Sequence, residues 1–270
     1  MSSGRVRLVA TDMDGTLLRS DGTISARTLA AIRDAHQAGI TVVAATGRGW
    51  RSAVPLLAPA PEITTAVCSN GALVRDIVGG ADTDIFAFPA ATVEVLVDAV
   101  VSTVPDAGLA WELATGAFGF DRVYAGMRPD VARHYPDHEG ARPPVGDPML
   151  KLLVIHPQLD EAALLSILEP VVPPDVLATY SGIDTVEITG AGVHKAAALA
   201  VVCGRLGIDA ADVVAFGDNR NDSEMLRWAG RGVAMGNAVP VAVEAADEQT
   251  AHHMDDGVAI VIEDVLTGIR

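Results

Sequence analysis

Val6-Arg7-Leu8-Val9-Ala10-Thr11-Asp12-Met13-Asp14-Gly15-Thr16-Leu17 carries a short apolar run into a pair of carboxylates two residues apart. The run Val6 to Ala10 reads as a buried strand. Acids at Asp12 and Asp14, placed where the chain leaves a strand, can converge on one small volume. Gly15 lets the backbone turn tightly behind them. Two close carboxylates cannot both stay ionised without a cation or a shifted pKa. The pair therefore reads as a metal site, a nucleophile with its acid/base, or both. The plain alternative is a turn of solvated acids or a helix cap.

Outward from this stretch the same pattern recurs. Ser25 to Gln37 spaces Leu29, Ile32 and Ala35 as a helix, closed by Gly39. Ile40 to Ala45 reads as a second buried strand, cut off at Thr46-Gly47. Thr64 to Cys68 reads as a third, ending at Ser69-Asn70-Gly71. Alternating strand and helix imply a parallel sheet with helices on both faces. Such sheets hold ligands at the carboxyl ends of their strands. The pattern resumes with a helix from Val193 to Leu206 and a strand from Val213 to Phe216, which ends at Gly217-Asp218-Asn219. A helix from Asn221 to Trp228 and a strand from Gly232 to Met235 follow, and the last ends at Gly236-Asn237.

Thr83 to Thr189 reads differently. Helices are expected at Ala90–Val104 and Leu159–Leu168, with a strand at Met149–His156. One hairpin spans Ala110–Leu113 and Ala117–Asp121; a second spans Val176–Tyr180 and Thr185–Ile188 around Ser181-Gly182. Arg142-Pro143-Pro144-Val145-Gly146 reads as a loop. The expected architecture is an α/β Rossmann-like core from residues 1–82 and 190–270, with an α+β domain inserted at residues 83–189.

Composition narrows the function. The chain has 270 residues and a formal net charge of -16, from 35 acids against 19 bases. That balance repels nucleic acid and anionic membranes. No apolar run reaches the length of a membrane span, and the apolar run after Arg7 is too short for a secretory signal. A cytoplasmic protein is expected. Cys68 and Cys203 sit in apolar runs without metal or redox spacing. His252-His253 reads as a solvated loop, and Trp50, Trp111 and Trp228 as packing residues.

Two further groups carry chemistry. Gly217-Asp218-Asn219-Arg220-Asn221-Asp222 supplies hard oxygen ligands of the kind Mg²⁺ takes. Ala45-Thr46-Gly47-Arg48 offers a hydroxyl, backbone amides and a cation, all phosphate-binding groups. Of the 19 basic residues only Lys151 and Lys195 are lysines. A chain that uses Arg for generic charge keeps a Lys where a compact ammonium is needed. Lys195 opens a helix, where a cation is mildly unfavourable, so an anion is expected beside it. Lys151, inside an apolar strand, reads as an edge or outward position.

These motifs, in this order and spacing, resemble the haloacid dehalogenase superfamily in its Cof-like branch, with a type II, inserted α+β cap. The resemblance spans essentially the whole chain. It implies a phosphatase in which Asp12 attacks phosphorus and Asp14 serves as general acid and base. It implies Mg²⁺ held by Asp12, the backbone carbonyl of Asp14 and Asp218, with Asp222 close by. Thr46, Gly47, Lys195 and Asn221 would hold the phosphoryl oxygens, and Arg48 and Asn70 would face the cap and the substrate. The implied partner is a small phosphorylated metabolite, a sugar phosphate or related ester. Ala196 and Asn219 stand where glycine is common in the family, and neither change removes a reacting group. A phosphosugar mutase would share every catalytic residue, and a non-catalytic phosphate-binding regulator would share the scaffold. A dinucleotide oxidoreductase lacks its glycine turn here. Neither the substrate nor the oligomeric state follows from these residues.

Overall fold

The computed structural model describes residues 5–134, 138–140, 142–144, 146–180 and 184–268. The chain forms two compact units, Met1–Asp84 with His194–Arg270, and Ile85–Val193.

The first unit begins with β1 (Leu8–Thr11), α1 (Ala26–Gln37), β2 (Thr41–Ala45), α2 (Trp50–Leu57), β3 (Thr65–Cys68), β4 (Leu73–Asp76) and β5 (Ala81–Ile85). Helix α1 starts where the Ser25 side chain accepts from the Thr28 amide, and it buries Thr28, Ala31, Ile32 and Ala35 along one stripe.

The second unit holds α3 (Ala90–Thr103), β6 (Gly108–Leu113), β7 (Phe118–Phe120), α4 (Arg122–Met127), α5 (Pro129–His134), β8 (His138–Glu139), β9 (Met149–Ile155), α6 (Glu161–Leu168), β10 (Val176–Tyr180) and β11 (Val186–Gly190). Its six described strands run in the order β10-β11-β9-β6-β7-β8. The two expected hairpins are present as antiparallel pairs; the turn at Ser181-Gly182, and Val145 of the Pro-rich loop, lie outside the described residues. One sheet face gathers Leu109, Trp111, Leu152 and Val154 against Leu96, Val97 and Val100 of α3 and Leu164 and Leu168 of α6. Trp111, 1% exposed, is a core residue, as its apolar neighbours require.

Lys151 departs from its expected edge or outward position. Its strand β9 lies inside the sheet, between β11 and β6, and the side chain is buried, with Nζ 3.5 Å from Glu187 Oε1. Cross-strand pairing explains this. Glu112 sits directly opposite Lys151 on β6, and Glu187 lies on β11, so charge on neighbouring strands accompanies the ammonium.

The chain returns to the first unit through α7 (Lys195–Leu206), β12 (Val213–Gly217), α8 (Ser223–Trp228), β13 (Arg231–Ala234), α9 (Pro240–Ala245), β14 (Glu248–Gln249) and α10 (Gly257–Gly268). The sheet order is β14-β13-β12-β1-β2-β3-β4-β5. β14 through β3 are parallel, and β4 turns back antiparallel to β3. β1, β2 and β12 are buried along nearly their whole length, as the near-continuous apolar runs of a doubly covered parallel sheet require. Parallel pairing puts the carboxyl ends of β1, β2, β3 and β12 at one edge. Cys68 and Cys203 are buried free thiols. Among the described residues no helix is long and apolar enough to cross a membrane.

Candidate active site

Asp12 follows the last residue of β1, and its amide donates to Phe216 O of the neighbouring β12 at 3.0 Å. Its side chain is 7% exposed. Lys195, the first residue of α7, reaches it: Nζ lies 2.6 Å from Asp12 Oδ1 and 2.6 Å from Asp222 Oδ1. The expected anion beside Lys195 is thus a pair of carboxylates. The other oxygen of Asp222 accepts from the Asp218 and Asn219 amides, each at 3.0 Å, and so shapes the turn that presents Asp218. Asp218 is steadied by Thr16, whose hydroxyl donates to Oδ1 at 3.0 Å. Gly15, at φ +75°, lies so close that a Cβ there would run into the Asp218 carboxylate. Only glycine fits that turn.

Asp12, Asp218 and Asp222 each place one oxygen within 4.8 Å of the others. Three acids therefore crowd together, and Lys195 bonds two of them, Asp12 and Asp222. Desolvation pushes the Asp12 carboxyl well above its usual range; Lys195 opposes this, and Asp222 and Asp218 reinforce it. Desolvation, with Asp222 next, lifts Asp218 to about 6, against the Thr16 hydroxyl and Lys195. Burial disfavours the Lys195 charge, but Asp12 and Asp222 outweigh it and hold the ammonium above its ordinary range. A cluster of hard oxygens in which carboxylates raise one another's pKa has the chemistry of a divalent-cation site.

The remaining expected residues form two neighbouring contacts. Arg48 grips Asp14 side-on, with Nε to Oδ2 and Nη2 to Oδ1 both at 2.6 Å. Asn221 Nδ2 donates to Asn70 Oδ1 at 3.0 Å, and Gly47 lies against both amides. Thr46 is buried, and its hydroxyl accepts from the Arg48 amide at 3.1 Å.

Three features went unread in the sequence. Ser69, Asn70 and Gly71 run through consecutive positive φ angles of 52°, 57° and 103°. Left-handed backbone at two non-glycine residues is strained and clusters at functional sites. Here it turns Asn70 toward Asn221 and seats Gly71 against the His194 carbonyl, beside the start of α7. Asn237 donates to Gly15 O at 2.8 Å and to Asp218 Oδ2 at 3.3 Å, which ties the first acidic turn to the last. The available signal was its place after β13, at another parallel strand end. His253 corrects the solvated-loop reading in part: its amide donates to Asn237 Oδ1 at 3.1 Å, so that loop braces Asn237.

The family model for haloacid dehalogenase-like hydrolases matches residues 9–262. The chain belongs to that family. It is similar to the 5-amino-6-(5-phospho-D-ribitylamino)uracil phosphatase YitU of Bacillus subtilis (strain 168), at 31% identity over 93% of this chain and 94% of that one. It is also similar to the HMP-PP phosphatase of Enterobacter sp. (strain 638), at 30% identity over 87% and 85% of the two chains. The crystal structure of a haloacid dehalogenase-like hydrolase from Bacteroides thetaiotaomicron superposes with a TM-score of 0.79 and 25% identity, covering 96% of this chain and 99% of that one. The core with parallel strands and the separate antiparallel sheet are the fold of this hydrolase family.

Proposed function

We propose that this hydrolase cleaves phosphate monoesters of small metabolites with Mg²⁺ bound, through an aspartyl-phosphate on Asp12. The observation that carries this reading is the buried Asp12 carboxylate, held by Lys195 at a central strand end within reach of Asp218. Lys195 fixes Asp12 by its Oδ1 and cancels the repulsion between a carboxylate and a phosphoryl anion. Asp12 attacks phosphorus, and the bond from phosphorus to the leaving oxygen breaks. Asp14 gives that oxygen a proton. Asp14 then takes a proton from water as the water attacks phosphorus, which breaks the bond to Asp12 and releases phosphate. Thr46, the Gly47 amide and Asn221 hold the phosphoryl oxygens. Asp12, Asp218 and the Asp14 carbonyl would hold Mg²⁺, with Asp222 orienting Lys195 and the Asp218 turn behind them. Bound there, Mg²⁺ supplies charge neutralisation for the phosphoryl group. The names of the two relatives, one acting on a phosphoribitylamino-uracil and one on HMP-PP, support a small phosphorylated metabolite as substrate.

Chelation should abolish hydrolysis of a small aryl phosphate and Mg²⁺ should restore it, whereas Ca²⁺, with its larger and looser shell, should not. Full activity in excess chelator would end this reading. A panel of sugar phosphates and related esters assayed with Mg²⁺ then ranks the substrates.

A pH dependence follows from Asp218. Its folded pKa, about 6, lies above that of an ordinary carboxyl. The metal-free fold therefore binds an extra proton between about pH 4 and pH 6, and this group's contribution to stability falls as pH rises through that window. Mg²⁺ must displace the same proton. The rise in melting temperature on adding Mg²⁺ should be small at about pH 5 and large at about pH 7. A Mg²⁺-induced shift that is flat across this range would contradict the assignment of Asp218 as a ligand.

A further inference from the structure

The geometry points to Arg48 as a positioning residue that changes partners: it clamps Asp14 before substrate arrives, then passes to the incoming phosphoryl group and frees Asp14 for proton transfer. This rests on the phosphatase reading above.

Both oxygens of Asp14 are taken by the guanidinium, through Nε and Nη2, at 2.6 Å each. A guanidinium keeps its protons, so in this grip Asp14 only accepts hydrogen bonds. It cannot present an O–H to a leaving oxygen until Arg48 lets go. The pair sits where letting go is easy. The Arg48 side chain is 38% exposed and that of Asp14 53%, so solvent screens the pair and can take up its hydrogen bonds as the two-point grip opens. The backbone of Arg48 is pinned: its amide donates to Thr46 Oγ1 at 3.1 Å, and its carbonyl accepts from Ser69 N at 2.9 Å. Only the side chain need move. The anion it would move to binds at Thr46 and Gly47, its immediate neighbours in sequence. A phosphoryl dianion offers the fork more negative charge than one carboxylate does.

Lys195 shows the contrast. It is 1% exposed and held by two buried carboxylates. The site thus holds one fixed cation at the nucleophile and one exchangeable cation at the acid/base, and the exchange couples substrate arrival to release of Asp14.

The test is calorimetric titration of inorganic phosphate into the Mg²⁺-loaded protein, as wild type, Asp14→Asn, Arg48→Ala and the double variant. Asp14→Asn removes a negative charge in either background, so general repulsion contributes equally to both. Only with Arg48 present does it also remove a competitor for the guanidinium. Phosphate binding should therefore tighten about fivefold more on Asp14→Asn when Arg48 is present than in the Arg48→Ala background. Equal tightening in the two backgrounds would overturn the exchange. If Arg48→Ala fails to fold, Arg48→Lys serves: it keeps the charge but cannot span both oxygens, and the extra tightening should shrink. Unchanged extra tightening in Arg48→Lys would likewise overturn the proposal. Absence of phosphate binding by the Mg²⁺-loaded wild type would sink the phosphatase reading itself, and the exchange with it.

Discussion

Asp12→Asn should lower hydrolysis of every phosphate ester by at least about ten-thousandfold while the protein stays folded. An amide does not attack phosphorus, and the loss of a covalent nucleophile ranks among the largest single-residue effects on turnover. The change is nearly isosteric, so packing at the end of β1 survives. Its stability should hold or rise in the absence of metal. Burial and the neighbouring Asp222 and Asp218 make the Asp12 charge costly in the folded chain, as its raised pKa records, and the neutral amide removes that cost. Steady-state turnover beside a thermal melt checks both halves. Turnover within about tenfold of wild type would remove Asp12 from the chemistry.

Lys195→Arg should cost about a hundredfold in turnover and Lys195→Ala about a thousandfold. The chain's two lysines are both buried against acids, Lys195 between Asp12 and Asp222 and Lys151 beside Glu187. Everywhere else its basic charge is arginine. At Lys195 one small ammonium donates to two carboxylates at 2.6 Å each, and a planar guanidinium is too large to sit there without displacing Asp12. A displacement of about 1 Å at a nucleophile is enough for the smaller effect. Read from the sequence, this side chain belongs at a polar site outside the core, where either substitution would leave folding untouched. Its full burial changes that expectation. Lys195→Ala leaves Asp12 and Asp222 without their ammonium and Asp218 beside them, and the metal-free variant should lose about 3–5 kcal/mol of stability, partly recovered on adding Mg²⁺. Near-normal turnover in Lys195→Arg would show that generic positive charge suffices.

The core was legible because its chemistry sits at the ends of apolar runs. β1, β2, β3 and β12 each read as a buried strand followed by polar residues, and parallel pairing brings those ends to one edge. Lys195 was legible through scarcity. What escaped shares a different physical origin. β5 alternates exposed and half-buried residues and carries no continuous apolar run, so this edge of the sheet left no strong trace. Asn237 meets Gly15 across 222 residues of chain, and a single asparagine carries no record of so distant a partner. The left-handed Ser69 and Asn70 are not glycines, and only Gly71 hinted at the turn. Lys151 sits in a strand apolar on both sides of it, and its partner lies 36 residues on, so neither its burial nor its ion pair could be read locally.

The most direct test of covalent catalysis is acid quenching of Asp14→Asn during turnover of a reactive aryl phosphate with Mg²⁺, followed by peptide mass analysis. This variant should still form the adduct, since an aryl leaving group needs little help from an acid, but should hydrolyse it slowly without its base. The expected result is a phosphoryl group on the peptide containing Asp12, removed by hydroxylamine. Release of the aryl alcohol with that peptide unmodified at every quench time would contradict it.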